Sequence, residues 1–232
     1  MLDDTLVIAI LQIIAIDIIL GGDNAIIIAL ACRNLPSRQK KLGILWGTAG
    51  AIGLRVLLVF FASTLLTVPS LKLIGGILLV WIGVKLLAEE QDFNEGSVKQ
   101  SGSLMEAIRT IIIADFVMSL DNSVAIAAAA KGNMALVVFG LLLSVPIIIG
   151  GSAIILRMMQ RFPVIITFGA ALLGWLAGDL IAHDPLLKDQ LATLPAYAPK
   201  VAAAAGALFV VVAGRIIAAR NAGSAGHHAS DQ

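Results

Sequence analysis

The chain is poor in the residues from which most soluble domains and most metal clusters are built. It holds one cysteine, Cys32, which excludes an internal disulfide and any cysteine-based metal cluster. Charged residues make up only 13% of the 232 positions, against about 25% in ordinary soluble domains. What charge there is nearly cancels, to a net +1, so there is little with which to displace counterions from phosphate, and no nucleic-acid partner is expected. The opening Met1-Leu2-Asp3-Asp4 lacks the positive stretch of a signal peptide, so the first apolar run is expected to remain in the protein as a helix.

In place of charge the chain has apolar length. Hydrophobic residues are 59%, against about 45 to 50% in soluble domains. Runs long enough for a membrane helix of about 20 residues fall near 6–31, 43–66, 71–88, 104–130, 134–157, 164–182 and 200–219. The expected fold is therefore an all-α polytopic membrane protein with seven transmembrane helices. Asn34-Leu35-Pro36, Val68-Pro69-Ser70 and Phe162-Pro163 punctuate the runs, each with a proline that stops or starts a helix. Residues 89–103, rich in Glu, Ser and Gly, read as a flexible linker between a first part, 1–88, and a second, 104–182. An outer loop and last helix follow over 183–219, and 220–232 read as a disordered tail.

Lysine and arginine set the expected orientation. Alternating loops place 11 of them, Arg33, Arg38, Lys40 and Lys41 among these, on one side and 4 on the other, so the richer side is cytoplasmic. The N-terminus is then outside and the C-terminus inside, with a bacterial inner (cytoplasmic) membrane as the expected location. Arg55 belongs to neither side, because it falls near the centre of the second run.

Two stretches carry acids at membrane depth. Asp17-Ile18-Ile19-Leu20-Gly21-Gly22-Asp23-Asn24 lies inside the first run, and Asp115-Phe116-Val117-Met118-Ser119-Leu120-Asp121-Asn122 lies 98 residues further on, inside the fourth. Both read D-x5-D-N. An ionised side chain there costs about 2.5 to 3.5 kcal/mol, so the four acids together cost about 10 kcal/mol. Ionisable groups at that depth point by default to an ion or proton site.

The repetition extends beyond the acids. At an offset of 94, Pro69 matches Pro163, Gly75 matches Gly169 and Trp81 matches Trp175. Each copy contains three helices, and an odd number of crossings forces the copies into opposite orientations. The architecture expected is two inverted three-helix repeats plus one extra C-terminal helix. Gly43, Gly47, Gly50 and Gly53 are spaced for close helix packing.

On a regular helix, at about 100° per residue, Asp17 and Asn24 share a face while Asp23 points about 120° away. Gly21-Gly22 is where the first helix is expected to unwind and bring these groups together. Four aspartates and two asparagines, with no Cys or His at that depth, form an all-oxygen set suited to Mn2+, Mg2+ or Ca2+. Arg55 is the expected counter-charge when metal is absent, and metal entry would then displace protons. His183, beside Asp184-Pro185, reads as a loop residue, and His227 and His228 as part of a solvated tail.

At these residues the chain resembles the TerC family of integral membrane proteins, within the wider LysE-like transporter group. The resemblance is carried by DIILGGDNAI in the first helix, ADFVMSLDNSVAIA in the fourth and GTAGAIGLRVLLVFF in the second, and it covers about 6–219. It implies manganese export, with Asp17, Asp23, Asn24, Asp115, Asp121 and Asn122 as metal ligands. The family's association with tellurium resistance reads as indirect, since tellurite is an oxyanion and an acidic pocket has the wrong charge for it.

The metal is cargo on this reading, and no permanently bound cofactor or enzymatic activity is expected. The expected partners are the divalent ion and the lipid bilayer, with a homo-oligomer or a secretion-associated partner left open. Two other classes use the same residues. A non-transporting accessory protein could deliver metal to secreted proteins. An intramembrane aspartyl protease needs paired acids, but Leu20-Gly21-Gly22-Asp23 has leucine where its G-x-G-D element needs glycine, and the acids are more than a dyad uses.

Overall fold

The computed structural model describes residues 4–20, 22–65, 68–89, 103–130, 133–187 and 195–229. These form helices α1 (Asp4–Leu20), α2 (Gly22–Cys32), α3 (Ser37–Leu65), α4 (Leu71–Ala88), α5 (Leu104–Ala130), α6 (Met134–Arg161), α7 (Val164–Ala182) and α8 (Ala198–Ala229), and no strand occurs among them. Helical backbone thus continues past Arg220 into the Gly/Ser/His-rich tail. Nearly all of the expected 89–103 linker lies outside the described residues.

Five segments are long and apolar enough to cross a membrane alone: Ser37–Ala62, Leu71–Ala88, Met134–Arg161, Val164–Ala182 and Ala198–Arg220. A sixth is α5, taken as one span although its arms, Leu104–Leu120 and Asn122–Ala130, meet at 64°. Over the described residues the count is five or six where the sequence predicts seven; the first apolar run is described as α1, of 17 residues, and α2, of 11, on either side of Gly21. Gly21, one of the two glycines where unwinding is expected, lies outside the described residues.

The helices gather into two compact units, each drawing on both halves of the chain. The first contains α1, α2, α3, α5 and α6. In it α3 lies along α5 in the same direction. A Cβ at Gly43 would stand 3.5 Å from Leu104, one at Gly47 would stand 3.3 Å from Ile111 Cβ, and one at Gly50 3.0 Å from Ile112. Gly53, expected to pack in the same way, has nothing within 4 Å and faces outward. Along α6 the pairing runs equally in parallel, with Gly140 against Ile13 of α1 and Gly151 near Ala25 of α2.

Apolar side chains are abundant on the outside of this unit. Leu57, Phe60, Phe61, Phe139, Leu142 and Ile147 are all exposed, while Asp17, Asn24, Thr48, Arg55, Asp115, Ser119 and Ser144 are buried. An apolar exterior around a polar seam is the arrangement expected where the solvent is lipid and polar groups must find partners inside.

The second unit contains α4, α7 and α8. Here α4 and α7 run antiparallel, with Gly76 against the Ala177 carbonyl and Gly83 against Leu173 and the Ala170 carbonyl. Between α7 and α8 the backbones nearly touch. A Cβ at Gly178 would lie 2.7 Å from the Ala202 carbonyl carbon, and one at Gly174 2.8 Å from Ala207 Cα. Small residues permit that approach, and packing and weak polar contacts then hold helices that lipid alone would not drive together.

Asp184, placed by its sequence neighbours in an outer loop, is wholly buried. Its Oδ2 accepts a hydrogen bond from Leu73 N at 2.9 Å and its Oδ1 one from Leu186 N at 2.9 Å. Leu73 sits in the first turn of α4, where backbone N–H groups have no intrahelical acceptor. The carboxylate thus caps α4 from the far side of the same unit. Asp184→Ala leaves a buried donor unsatisfied, and should cost about 2 kcal/mol. A thermal melt in detergent indistinguishable from wild type would contradict the cap.

Candidate metal centre

Arg55 stands at mid-helix in α3 and is 2% exposed. Each guanidinium nitrogen has a partner: Nη1 donates to Asp17 Oδ1, Nη2 to Asp115 Oδ1, and Nε to Ser119 Oγ at 2.9 Å. Ser119 in turn donates to Asp115 Oδ2 at 3.2 Å, one turn back along α5. Ser144 of α6 reaches Asp17 Oδ2, and its oxygen also lies 2.8 Å from the Leu141 carbonyl.

Every oxygen of the two carboxylates therefore has a donor. This is the condition under which buried charges are tolerated, since their mutual attraction offsets desolvation only when the remaining lone pairs are also satisfied. Arginine suits the position because its planar fork holds two carboxylates at once and keeps its charge when buried. Asp17 of α1 and Asp115 of α5, the first acids of the two motifs, are joined in this way through a base from a third helix.

The second halves of the motifs lie at the start of α2 and at the bend of α5. Asp23 is in the first turn of α2, half-buried, with its Oδ1 accepting from Asn24 N at 3.0 Å. A carboxylate is favoured there by the exposed N–H groups and positive end of the helix. Asn24 is 4% exposed, and among the described residues neither its Nδ2 nor its Oδ1 has a hydrogen-bond partner. In the other copy, Asn122 is half-buried at the start of the second arm of α5, and the side chain of Asp121 lies outside the described residues.

Asp17 and Asp115 thus meet on one cation, but that cation is Arg55. Among the described residues no three carboxylate, imidazole or thiol groups converge on one metal position. The donor set nevertheless fits a hard cation. It is all oxygen, and the Asn24 amide is a buried polar group that the protein itself leaves unsatisfied, which native structures rarely tolerate without water or an ion.

Three polar residues of this region escape a reading of the sequence. Ser119 could have been found, because it stands four residues after Asp115 and so shares its helical face. Ser144 and Thr48 are single hydroxyls in apolar runs, and nothing in their neighbours marks them. Thr48 is 2% exposed and its Oγ1, like the Asn24 amide, has no partner.

Apolar helices around a buried, charged seam define a polytopic integral membrane protein. The chain belongs to the TerC family of integral membrane proteins, whose family model matches residues 2–222. It is 45% identical over 181 residues to the uncharacterized membrane protein YjbE of Bacillus subtilis, an alignment covering 78% of this chain and 82% of that one. It is 25% identical to a UPF0053 protein of Haemophilus influenzae, over 76% of this chain and 82% of the relative. Against the UPF0053 inner membrane protein YoaE of Escherichia coli the identity is 22% over 79% of this chain, which spans only 39% of YoaE. No solved structure matches the chain.

Proposed function

We propose that the protein is a transporter that exports a hard divalent cation, Mn2+ by resemblance to its family, through oxygen ligands supplied by the two D-x5-D-N motifs. The observation that carries this reading is the Asn24 amide, buried beside Asp23 with no partner among the described residues. A break in a membrane helix frees carbonyl groups as well, and such breaks occur where they line a binding site or cavity. Transport would run by exchange with protons, since carboxylates relieved of a cation at this depth take up protons or a base.

The same reading takes α1 with α2, and the two arms of α5, each as one broken span, which brings the crossings to seven. Internal packing supports an inverted repeat. Gly47 meets Ile111 and Gly140 meets Ile13. Ile13 and Ile111 are 98 positions apart, the offset of the acidic motifs, and the two glycines are 93 apart. In the second unit the pairs Gly76 with Ala177 and Gly83 with Ala170 exchange under an offset of 94. Lysine and arginine counts place the N-terminus outside, and the printed name of YoaE favours the inner membrane.

A non-enzymatic role is favoured by Arg55. An aspartyl dyad works by sharing a proton between adjoining carboxylates, whereas here a guanidinium stands between Asp17 and Asp115. The test is metal flux into liposomes holding only this protein and an internal pH dye. Mn2+ flux with opposite proton movement is expected, with Mg2+ and Ca2+ slower. Folded protein that moves none of the three would overturn the proposal and make metal delivery to secreted proteins the leading role.

A further inference from the structure

The six motif residues divide into two groups that the sequence treats alike. Asp17 and Asp115 are saturated: Arg55 takes one oxygen of each and a serine hydroxyl approaches the other. Among the described residues, Asp23 Oδ1 accepts a backbone hydrogen bond from Asn24 N, and the Asn24 amide has no partner. Among the described residues Thr48, which no motif includes, is another buried side chain with a polar atom that lacks a partner.

Thr48 and Asn24 lie in the same direction from Arg55. Thr48 precedes Arg55 by seven residues, two turns or about 10 Å back along α3. Asn24 follows Asp17 by seven residues and stands in α2. These two helices fold back on one another through residues 33–36, where Leu35 N bonds to the Cys32 carbonyl at 3.2 Å and a Cβ at Gly43 would stand 2.8 Å from Cys32 Sγ. Both orphaned groups therefore lie between the arginine and the α2–α3 turn, on neighbouring antiparallel helices of the same unit.

We propose that the cation is bound in this stretch, by Asp23, Asn24 and Thr48, and that Asp17 and Asp115 hold Arg55 without ligating the ion. The placement rests on the cation-transport reading above. One carboxylate with an amide and a hydroxyl oxygen is a hard donor set with low charge, so the ion keeps part of its water shell, as Mn2+ and Mg2+ sites commonly do. The Asn24 Nδ2 is then free to donate to Asp23 or to a water carried by the ion. Arg55 with its two aspartates becomes the fixed frame beside which the ion passes.

The test measures Mn2+ affinity calorimetrically on the full chain in detergent, together with the melting temperature in EDTA. Asn24→Ala and Thr48→Val remove unsatisfied buried groups, so each should melt at or above the wild-type temperature while Mn2+ affinity falls at least tenfold. Ser144→Ala and Asp17→Asn weaken the frame, so they should melt lower while the folded fraction keeps Mn2+ affinity within about threefold. Wild-type affinity in both Asn24→Ala and Thr48→Val would overturn the placement alone. So would a tenfold loss in Ser144→Ala at unchanged melting temperature. A wild-type protein that binds no Mn2+ would overturn the cation reading and this placement with it.

Discussion

Arg55→Ala should leave a protein that barely folds. The substitution strands two buried carboxylates that now share one guanidinium, and breaking a buried pair by removing one partner costs about 3 to 5 kcal/mol. With total stabilities of about 5 to 15 kcal/mol, that loss is enough to collapse the yield of folded protein. Arg55→Lys keeps the charge but cannot bridge Asp17 and Asp115 while also reaching Ser119, so it should recover only part of the loss. The informative control is neutral. Arg55→Ala combined with Asp17→Asn and Asp115→Asn removes the charges as well as the base, and should be more stable than Arg55→Ala alone, because residues in one network do not contribute additively. Melting temperatures in detergent decide the matter. A fully stable Arg55→Ala protein would show that the two acids do not need this base.

Asp23→Asn should have the opposite profile, with folding intact and transport lost. The substitution is nearly isosteric, and an asparagine oxygen can still accept the bond from Asn24 N that Asp23 Oδ1 receives at 3.0 Å. Since the side chain is only half-buried, the change in stability should stay within about 1 kcal/mol. What disappears is the charge of the proposed metal ligand. Loss of groups that merely support a ligand already costs about 10- to 100-fold in affinity, so removing the ligand's own charge should lower Mn2+ flux by about 100-fold or more. Flux at the wild-type rate in liposomes would remove Asp23 from the site.

Much of this contrast is legible before any folding is considered. Periodic apolar runs, prolines between them and two D-x5-D-N motifs at membrane depth are enough to imply helices in lipid with a charged interior. Arg55 is conspicuous because an unaccompanied base at mid-helix is expensive. The number of spans was harder to read. The mostly apolar run from 104 to 130 looks like one straight helix, yet the two arms of α5 meet at 64°. Hydropathy sums over a window and has no term for a bend inside it. Gly53 shows the same limit, since a spacing of three or four residues selects a helix but does not say which of its faces meets a neighbour.

By itself the sequence determined the class of protein, the two acidic motifs and the chemistry available to them, because these depend on composition and on spacing along one helix. Only the tertiary structure decided the partners. That Arg55 joins Asp17 to Asp115, that Ser119 and Ser144 complete their shells, and that Asn24 and Thr48 find no partners among the described residues are relations among five different helices. Residues 38, 60 and 127 positions apart become neighbours there through the direction and depth at which helices pack, which no local pattern encodes. Asp184 makes the same point in the other unit, where a loop carboxylate is recognisable as the cap of α4 only once Leu73 is seen beside it.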